Sequence, residues 1–196
     1  MSNEYIWAGD FGNEYNKRND SPFANRQPFW MSVYERHPFR SVLEIGCNKG
    51  HNLEQIAGTT SDYADVWGLD VNVAAIQKGR SLYPYLNLVT TSGLDLPFRD
   101  DYFDMVFTAG VLIHQSPSTF EQMMQEVIRV SCKYIMAIEY DAEVFTEVPY
   151  RGLEGALFKG PFGEVYERKY GLLLLEKYRV GKELGFDDTT VWILQK

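Results

Sequence analysis

The sequence has 196 residues, of which 45% are hydrophobic and 15% aromatic, and this is the size and composition of one packed domain, not of a disordered chain. Its 19 basic and 27 acidic residues give a net charge of −8, so no overall positive field exists to attract a phosphate backbone. Nucleic acid is therefore not an expected partner.

Targeting and redox signals are also absent. The first 15 residues lack a basic start followed by an apolar run, and no stretch approaches the roughly 18 apolar residues that would span a bilayer. These features predict a cytoplasmic protein with no membrane partner. Cys47 and Cys132 each sit beside a predicted strand without metal-ligand spacing, so we interpret them as reduced structural thiols and expect no metal.

From residue 41 onward, short β-branched runs alternate with helical patterns, which is typical of a parallel sheet covered by helices on both faces. The runs predict strands at residues 41–45, 66–70, 86–90, 103–108 and 134–138. Helical spacing predicts helices at residues 52–57 and 73–82, and a third with Pro117 in its first turn. The apolar stripe of this third helix is Phe120, Met123, Met124, Val127 and Ile128.

The two ends of the chain extend this pattern. Residues 21–37 contain a predicted helix with Phe29, Trp30, Val33 and Tyr34 facing inward. A helix at 164–170 precedes strands at 172–178 and 189–194, which predict an antiparallel pair. We expect a single domain over residues 1–196, with residues 1–37 as lid and helix and residues 38–196 as the sheet core.

Residues 44–50, Glu-Ile-Gly-Cys-Asn-Lys-Gly, join the first strand to the first helix, the place where open α/β sheets bind ligands. Gly46 and Gly50, with Asn48 between them, do not complete the Gly-x-Gly-x-x-Gly pattern of a dinucleotide site. Glu44 would repel a pyrophosphate but attract the ammonium group of a methionine moiety. The loop therefore favours S-adenosylmethionine over NAD, although an ordinary tight turn can have the same residues.

Two later strand ends carry complementary groups. Asp70 ends the second strand, where its carboxylate is expected to accept hydrogen bonds from both ribose hydroxyls while Val71 packs on the adenine. The alternative is that Asp70 or Asn72 caps the next helix. After the third strand, Asp95 in the turn with Gly93 is predicted to accept from the adenine amine, with Leu94 and Leu96 closing on the ring.

As a set, these segments resemble the class I S-adenosylmethionine-dependent methyltransferases. The resemblance rests on Val-Leu-Glu-Ile-Gly-Cys-Asn-Lys-Gly at 42–50, Gly-Leu-Asp at 68–70, Asp-Leu-Pro-Phe at 95–98 and Phe-Asp-Met-Val-Phe at 103–107. It implies a Rossmann-like, seven-stranded, mostly parallel sheet with helices on both faces and an antiparallel final strand. It also implies methyl transfer from S-adenosylmethionine.

A narrower resemblance is to the pseudaminic acid biosynthesis-associated methylase family. It rests on residues 7–15 with Arg18 and Asn19, on Gly-Val-Leu-Ile-His at 110–114, and on Glu139 and Tyr140 followed by residues 147–152. Two departures from the expected pattern are Asn48 in place of a glycine, and Lys159-Gly160 in place of a basic–acidic pair.

Candidate residues for the methyl acceptor follow the fourth and fifth strands. His114 is a candidate general base, or else it hydrogen-bonds its own loop or caps the next helix. Glu139 and Tyr140 are expected to orient a hydroxyl or pair with an amine. Tyr150 and Arg151 lie in the next loop, where Arg151 either binds a carboxylate or phosphate of a sugar acid or forms an ordinary surface pair.

Ahead of the sheet, Trp7, Phe11, Tyr15, Arg18 and Asn19 form an aromatic and polar segment that we interpret as too irregular for a core helix. It is either a lid that lets Tyr15 or Arg18 reach the methionine carboxylate, or an arm anchored on the surface. The expected cofactor-binding residues are Tyr15, Arg18, Glu44, Gly46, Cys47, Asn48, Gly50, Asp70, Val71, Asn72, Gly93, Leu94, Asp95, Ala109 and Val111.

The sequence thus predicts methyl transfer to a small polar acceptor. A sugar or sugar nucleotide, which the narrower resemblance implies, competes with a small amine, guanidine or carboxylate metabolite. Two other functions stay open: an oxidoreductase with a nucleotide cofactor, against which Glu44 and the glycine spacing argue, and a catalytically silent domain that uses the cleft for regulation or assembly.

Overall fold

The computed structural model describes residues 3–19, 26–60 and 65–196. Its strands are β1 (Ser41–Ile45), β2 (Asp65–Asp70), β3 (Asn87–Thr90), β4 (Phe103–Ala109), β5 (Ser131–Glu139), β6 (Thr146–Glu147), β7 (Phe158–Lys159), β8 (Leu173–Val180) and β9 (Thr189–Gln195). All the predicted strands are present. β5 begins earlier than predicted, so Cys132 lies within this strand instead of beside it.

The helices are α1 (Glu4–Ala8), α2 (Asp10–Arg18), α3 (Gln27–Arg36), α4 (His51–Ala57), α5 (Val73–Leu82), α6 (Phe120–Val130) and α7 (Phe162–Tyr170), with 3₁₀ turns at Leu112–His114 and Lys182–Leu184. Residues 21–25 of the predicted helix at 21–37 lie outside the described residues. Across the parts of the chain that the structure describes, no helix is both long and apolar enough to cross a membrane.

Two predictions about these helices are wrong. The segment from Trp7 to Arg18 is not irregular, because it forms α1 and α2 with a break at Gly9. Pro117 lies in the turn before α6 and not in its first turn, since α6 begins only at Phe120.

The main sheet has seven strands in the order β3-β2-β1-β4-β5-β9-β8. The first five strands are mutually parallel, whereas β9 pairs antiparallel with both β5 and β8. This is the predicted Rossmann-like sheet with its antiparallel end. From β1 the chain continues to β2 and β3 on one side, and it then returns to place β4 and β5 on the other side of β1. Such a switch point between β1 and β4 opens a crevice at the carboxyl ends of the strands.

Apolar side chains cover both faces of the sheet. Phe29, Trp30 and Val33 of α3 pack on one face with residues of α4 and α5. The predicted stripe of α6 packs on the other face together with α7, and its Met124 and Val127 are fully buried. Successive β1 residues point to opposite faces, so Val42 meets the α3 side and Leu43 the α6 side. Glu44 therefore faces α3 and α4.

Glu44 is a charged side chain buried within that layer, with 2% exposure. Asn52 Nδ2 of α4 donates to Glu44 Oε1 at 2.6 Å, and Arg26 Nη1 donates to Asn52 Oδ1 at 2.8 Å. Glu44 Oε2 has no hydrogen-bond partner among the described residues. Burial raises the pKa of the Glu44 carboxyl to about 8, against the lowering effects of Asn52 and Arg26.

We expect Trp30→Ala to lower the free energy of unfolding by about 3–5 kcal/mol, because Trp30 is 1% exposed and its ring lies 4.9 Å from Phe29 and 5.0 Å from Phe107. Urea unfolding measures this loss. The neighbouring Met31, 46% exposed, provides the control, since Met31→Ala should change the same quantity by no more than about 0.5 kcal/mol.

The raised pKa of Glu44 predicts a pH dependence of stability. Between about pH 4.5 and 8 the carboxyl is protonated in the folded chain and ionised in the unfolded one, so stability falls as pH rises, by up to about 1.4 kcal/mol per pH unit. Glu44→Gln should remove this one-proton contribution. Unfolding free energies of both proteins at several pH values check it, and parallel curves would contradict it.

Candidate active site

A cleft opens at the carboxyl ends of β1, β2 and β4, beneath α1 and α2, which we call the lid. The space between its walls, including the open mouth, is about 740 Å³. The lid contributes Glu4, Trp7, Gly12, Tyr15 and Asn16. The sheet and its loops contribute Ile45, Gly46, Asn48, Leu69, Asp70, Val71, Asn72, Thr91, Gly93, Ala109, Gly110, Val111, His114 and Gln115, and α6 contributes Met123.

The loop after β1 is shaped by two left-handed residues. Gly46 has φ 71°, and a Cβ there would collide with Val111 Cγ2, so the loop requires glycine where it meets the loop after β4. Asn48 has φ 51°, a conformation that asparagine tolerates better than most residues. This explains how Asn48 replaces the glycine expected at this position.

Asp70 joins two loops at the floor of the cleft. Its Oδ2 accepts from the Asn48 backbone N–H at 2.9 Å, and its Oδ1 accepts from the Asn72 backbone N–H at 2.8 Å. Burial raises the pKa of Asp70, while these backbone hydrogen bonds lower it. Asn72 is the helix cap, since its side chain accepts from the Ala75 N–H. The capping role thus belongs to Asn72, and the carboxylate of Asp70 lines the cleft.

Side-chain amides hold the lid on the loops that follow β1 and β2. Asn16 Nδ2 donates to Asn72 Oδ1 at 3.0 Å, and Asn48 Nδ2 donates to Asn16 Oδ1 at 2.6 Å. Asn72 Nδ2 also donates to the Trp7 carbonyl at 2.9 Å. At the other end of the lid, Asn3 Nδ2 donates to the carbonyls of His114 and Gly155. The segment therefore covers the cleft and is not an arm on the outer surface.

His114 lies on the acceptor side of the cleft with one ring nitrogen engaged. Its Nδ1 is 2.7 Å from the Ala156 carbonyl, which can only accept, so Nδ1 carries the proton and Nε2 offers a lone pair. Burial lowers the pKa of His114 to about 4, although the Ala156 hydrogen bond opposes this. His114 is thus neutral at physiological pH. The hydrogen bond to Ala156 goes to a loop 42 residues away, so His114 neither bonds its own loop nor caps α6, and it also lines the cleft.

Aromatic rings surround His114. The Trp7 ring centroid lies 4.4 Å from that of His114 and 5.4 Å from that of Tyr15. The Tyr150 ring lies 5.2 Å from His114 and packs behind it without lining the cleft. The Arg151 guanidinium lies 5.8 Å from the Tyr150 ring and has no ion pair with any described residue. The structure thus brings Tyr150 and Arg151 to the edge of the site, not into it.

Two predicted acceptor contacts are wrong. Glu139 is fully buried, and its carboxylate accepts from the backbone N–H groups of Val111, Leu112 and Ile113. Burial raises its pKa to about 7, and these N–H groups lower it. Glu139 therefore holds the 3₁₀ turn that carries His114 instead of touching a ligand. Tyr140 points away from the cleft, and its hydroxyl bonds Asp187 Oδ2 at 3.2 Å.

Several predicted cofactor contacts do not line the cleft either. Glu44 lies behind the loop, bonded to Asn52, because it sits on the opposite face of β1 from Ile45. Asp95 is exposed in its turn, and Arg18 is exposed on the outer face of α2. The same holds for the remaining three residues, which pack against the sheet or its helices: Cys47, Gly50 and Leu94.

Sequence analysis did not predict nine residues that line the cleft: Glu4, Gly12, Asn16, Ile45, Leu69, Thr91, Gly110, Gln115 and Met123. A signal existed for those in the lid. Trp7, Phe11 and Tyr15 recur every four residues, which predicts helices whose one face carries these rings. Gln115 and Met123 carried no comparable signal, since their position depends on the packing of the turn before α6.

The residues present fit S-adenosylmethionine. A buried carboxylate at the end of β2 suits a ribose diol, and the glycine and asparagine at the left-handed positions of the first loop allow close approach of a ligand. The carboxylates of Glu4 and Asp70 both line the cleft, so its charge favours a cationic aminoacyl sulfonium over a pyrophosphate.

The comparisons with known proteins agree with this geometry. Residues 42–133 match the family described as methyltransferase domain. Over 93 residues the chain is 34% identical to the phthiotriol/phenolphthiotriol dimycocerosates methyltransferase of Mycobacterium tuberculosis, covering 46% of this chain and 33% of the relative. Over 152 residues it is 26% identical to the demethylmenaquinone methyltransferase of Lysinibacillus sphaericus, covering 72% and 64%. The chain thus spans a third to two thirds of these relatives.

Among solved structures, the fold is similar to 1,6-didemethyltoxoflavin-N1-methyltransferase of Burkholderia thailandensis, which was solved with its substrate and S-adenosylhomocysteine. The TM-score is 0.77 at 14% identity, over 98% of this chain and 88% of that one. The narrower relationship to the pseudaminic acid-associated family stays a prediction. Residues 42–133 thus match the methyltransferase-domain family, and the chain has the same Rossmann-like fold as an enzyme solved with S-adenosylhomocysteine bound.

Proposed function

We propose that this protein transfers a methyl group from S-adenosylmethionine to a hydroxyl or amine of a small polar acceptor, with a sugar or sugar nucleotide as the first candidate. The observation that carries the proposal is that Asp70 and His114 line one cleft, the first suited to the cofactor and the second to an acceptor. When bound, the cofactor supplies an electrophilic methyl group. The protein must then hold the acceptor atom in line with it.

His114 is the residue we assign to the acceptor. Its Nε2 lone pair accepts a hydrogen bond from an O–H or N–H group and thereby points the acceptor atom toward the cofactor. A pKa of about 4 makes His114 a weak base, so its main contribution is orientation. Glu139 supports this by fixing the turn at Leu112–His114 through three backbone N–H groups.

The surroundings of His114 favour an acceptor with an apolar or flat face. Trp7 and Tyr15 line the cleft beside it, and rings of this kind stack on sugars, quinones and other planar groups. The Arg151 guanidinium lies 5.8 Å from the Tyr150 ring, which itself packs against His114, and it could pair with a carboxylate or phosphate of an acceptor that extends beyond the cleft. The names of the curated relatives specify a phthiotriol and a demethylmenaquinone, so lipid and quinone acceptors belong in the same screen.

A screen with methyl-labelled S-adenosylmethionine tests the function. Label should pass to a member of a panel of sugar nucleotides, sugar acids, small amines, guanidines, lipids and quinones. Calorimetric binding of S-adenosylmethionine without label transfer to any extract fraction would favour the silent-domain alternative. Saturable binding of NAD(P)H without binding of S-adenosylmethionine would favour the oxidoreductase and refute the proposal.

Asp70→Ala should weaken the binding of S-adenosylhomocysteine by about 1.5–3 kcal/mol, since it removes a charged hydrogen-bond partner. Titration calorimetry measures the change. Asp188→Ala is the matched control, because Asp188 forms an exposed pair with Arg179 outside the cleft and its loss should leave affinity unchanged. If urea unfolding shows that Asp70→Ala is folded and its affinity is unchanged, Asp70 does not bind the ribose hydroxyls.

His114→Ala should lower kcat by about 10²-fold through loss of acceptor orientation while cofactor affinity is retained. In the wild-type enzyme, protonation of His114 should not lower kcat/KM as pH falls from 8 to 6, because a histidine with a pKa of about 4 stays neutral over that range. An inflection near pH 6.5 that disappears in His114→Ala would instead mean that the histidine titrates normally.

A further inference from the structure

The carboxylate of Glu4 reaches from the lid to the end of β3. Ser92 Oγ donates to it, with both carboxylate oxygens at 2.8 Å, and the Gly93 backbone N–H donates to Oε1 at 3.1 Å. Ser92 Oγ in turn accepts from the Leu94 backbone N–H at 3.0 Å. Glu4 and Gly93 both line the cleft, so these contacts hold the carboxylate at its wall.

Under the proposed function, the order of the strands indicates which part of the cofactor would meet this wall. Asp70, at the end of β2, suits the ribose, and the methyl group would face His114 on the β4 side, since both residues line the cleft. The base is attached to the ribose on the side away from the methionine chain. Since the sheet order is β3-β2-β1-β4, the base must extend from Asp70 toward the end of β3.

At the β3 end of the cleft, the carboxylates of Asp95 and Glu4 are the two candidates for a contact with a purine. Asp95, which the sequence suggested as the acceptor for the adenine amine, is exposed in its turn and does not line the cleft. Glu4 lines it, and two donors of the β3 loop orient its carboxylate. A carboxylate accepts at up to about four lone-pair positions, so these orienting bonds and a bond to a ligand are compatible.

We propose that Glu4 is a cofactor-binding residue, whose carboxylate accepts a hydrogen bond from the 6-amino group of adenine when the lid is closed. The inference rests on the proposed function, since it requires S-adenosylmethionine in the cleft. An ionised carboxylate accepts and cannot donate, so Glu4 selects a 6-amino purine and repels a 6-oxo purine. Because Glu4 belongs to α1, the lid itself supplies this contact to the base.

The test uses titration calorimetry with two ligands, S-adenosylhomocysteine and its 6-oxo analogue S-inosylhomocysteine. The wild-type protein should bind the 6-amino ligand at least about 10-fold more tightly. In Glu4→Gln the side-chain amide can donate to the 6-oxo group, so the affinity for S-adenosylhomocysteine should fall about 10-fold and the preference should shrink or reverse.

Glu14→Gln is the matched control, since Glu14 lies on the exposed face of the lid and pairs with Lys17. It should keep both affinities of the wild-type protein. If Glu4→Gln binds both ligands as the wild-type protein does, or binds S-adenosylhomocysteine more tightly, Glu4 does not read the base and the inference is overturned while the proposed function stands. Failure of the wild-type protein to bind S-adenosylhomocysteine at all would overturn the proposed function together with it.

Discussion

The site depends on one buried carboxylate, Asp70, which ties together the loops after β1 and β2 through the N–H groups of Asn48 and Asn72. Its desolvation is costly, and two backbone donors offset that cost. The same two asparagines then use their side chains to receive the lid through Asn16. The floor, the first loop and the cover of the cleft are thus fixed by one continuous set of polar contacts.

The sheet could be predicted from sequence because its signals are local. Runs such as Ser41–Ile45 and Thr189–Gln195 carry their own strand pattern, and the stripe from Phe120 to Val127 carries its own helical period. The ends of parallel strands meet at one edge, so Gly46, Asp70, Gly93 and His114 were correctly expected to come together. The order of the strands brings the first three of these residues to one edge of the sheet, and the turn at Leu112–His114 adds His114.

Side-chain direction was the part that sequence could not supply. Glu44 and Glu139 end strands as predicted, but each turns into the protein: Glu44 faces Asn52, and Glu139 faces the N–H groups of the next loop. Which face of a strand end becomes cleft and which becomes core is decided by α3, α4 and the Leu112–His114 turn, which arrive from distant parts of the chain. The helical period of the lid could be read from the sequence, but the partners of Glu4 and Asn16 could not, since they are 88 and 56 positions away.

The lid has contacts on both halves of the cleft, with Glu4 and Asn16 on the cofactor side and Asn3 on the carbonyls of His114 and Gly155. Access to either half of the cleft therefore requires contacts of this one short segment to be broken, so the stability of those contacts governs how readily a ligand enters or leaves.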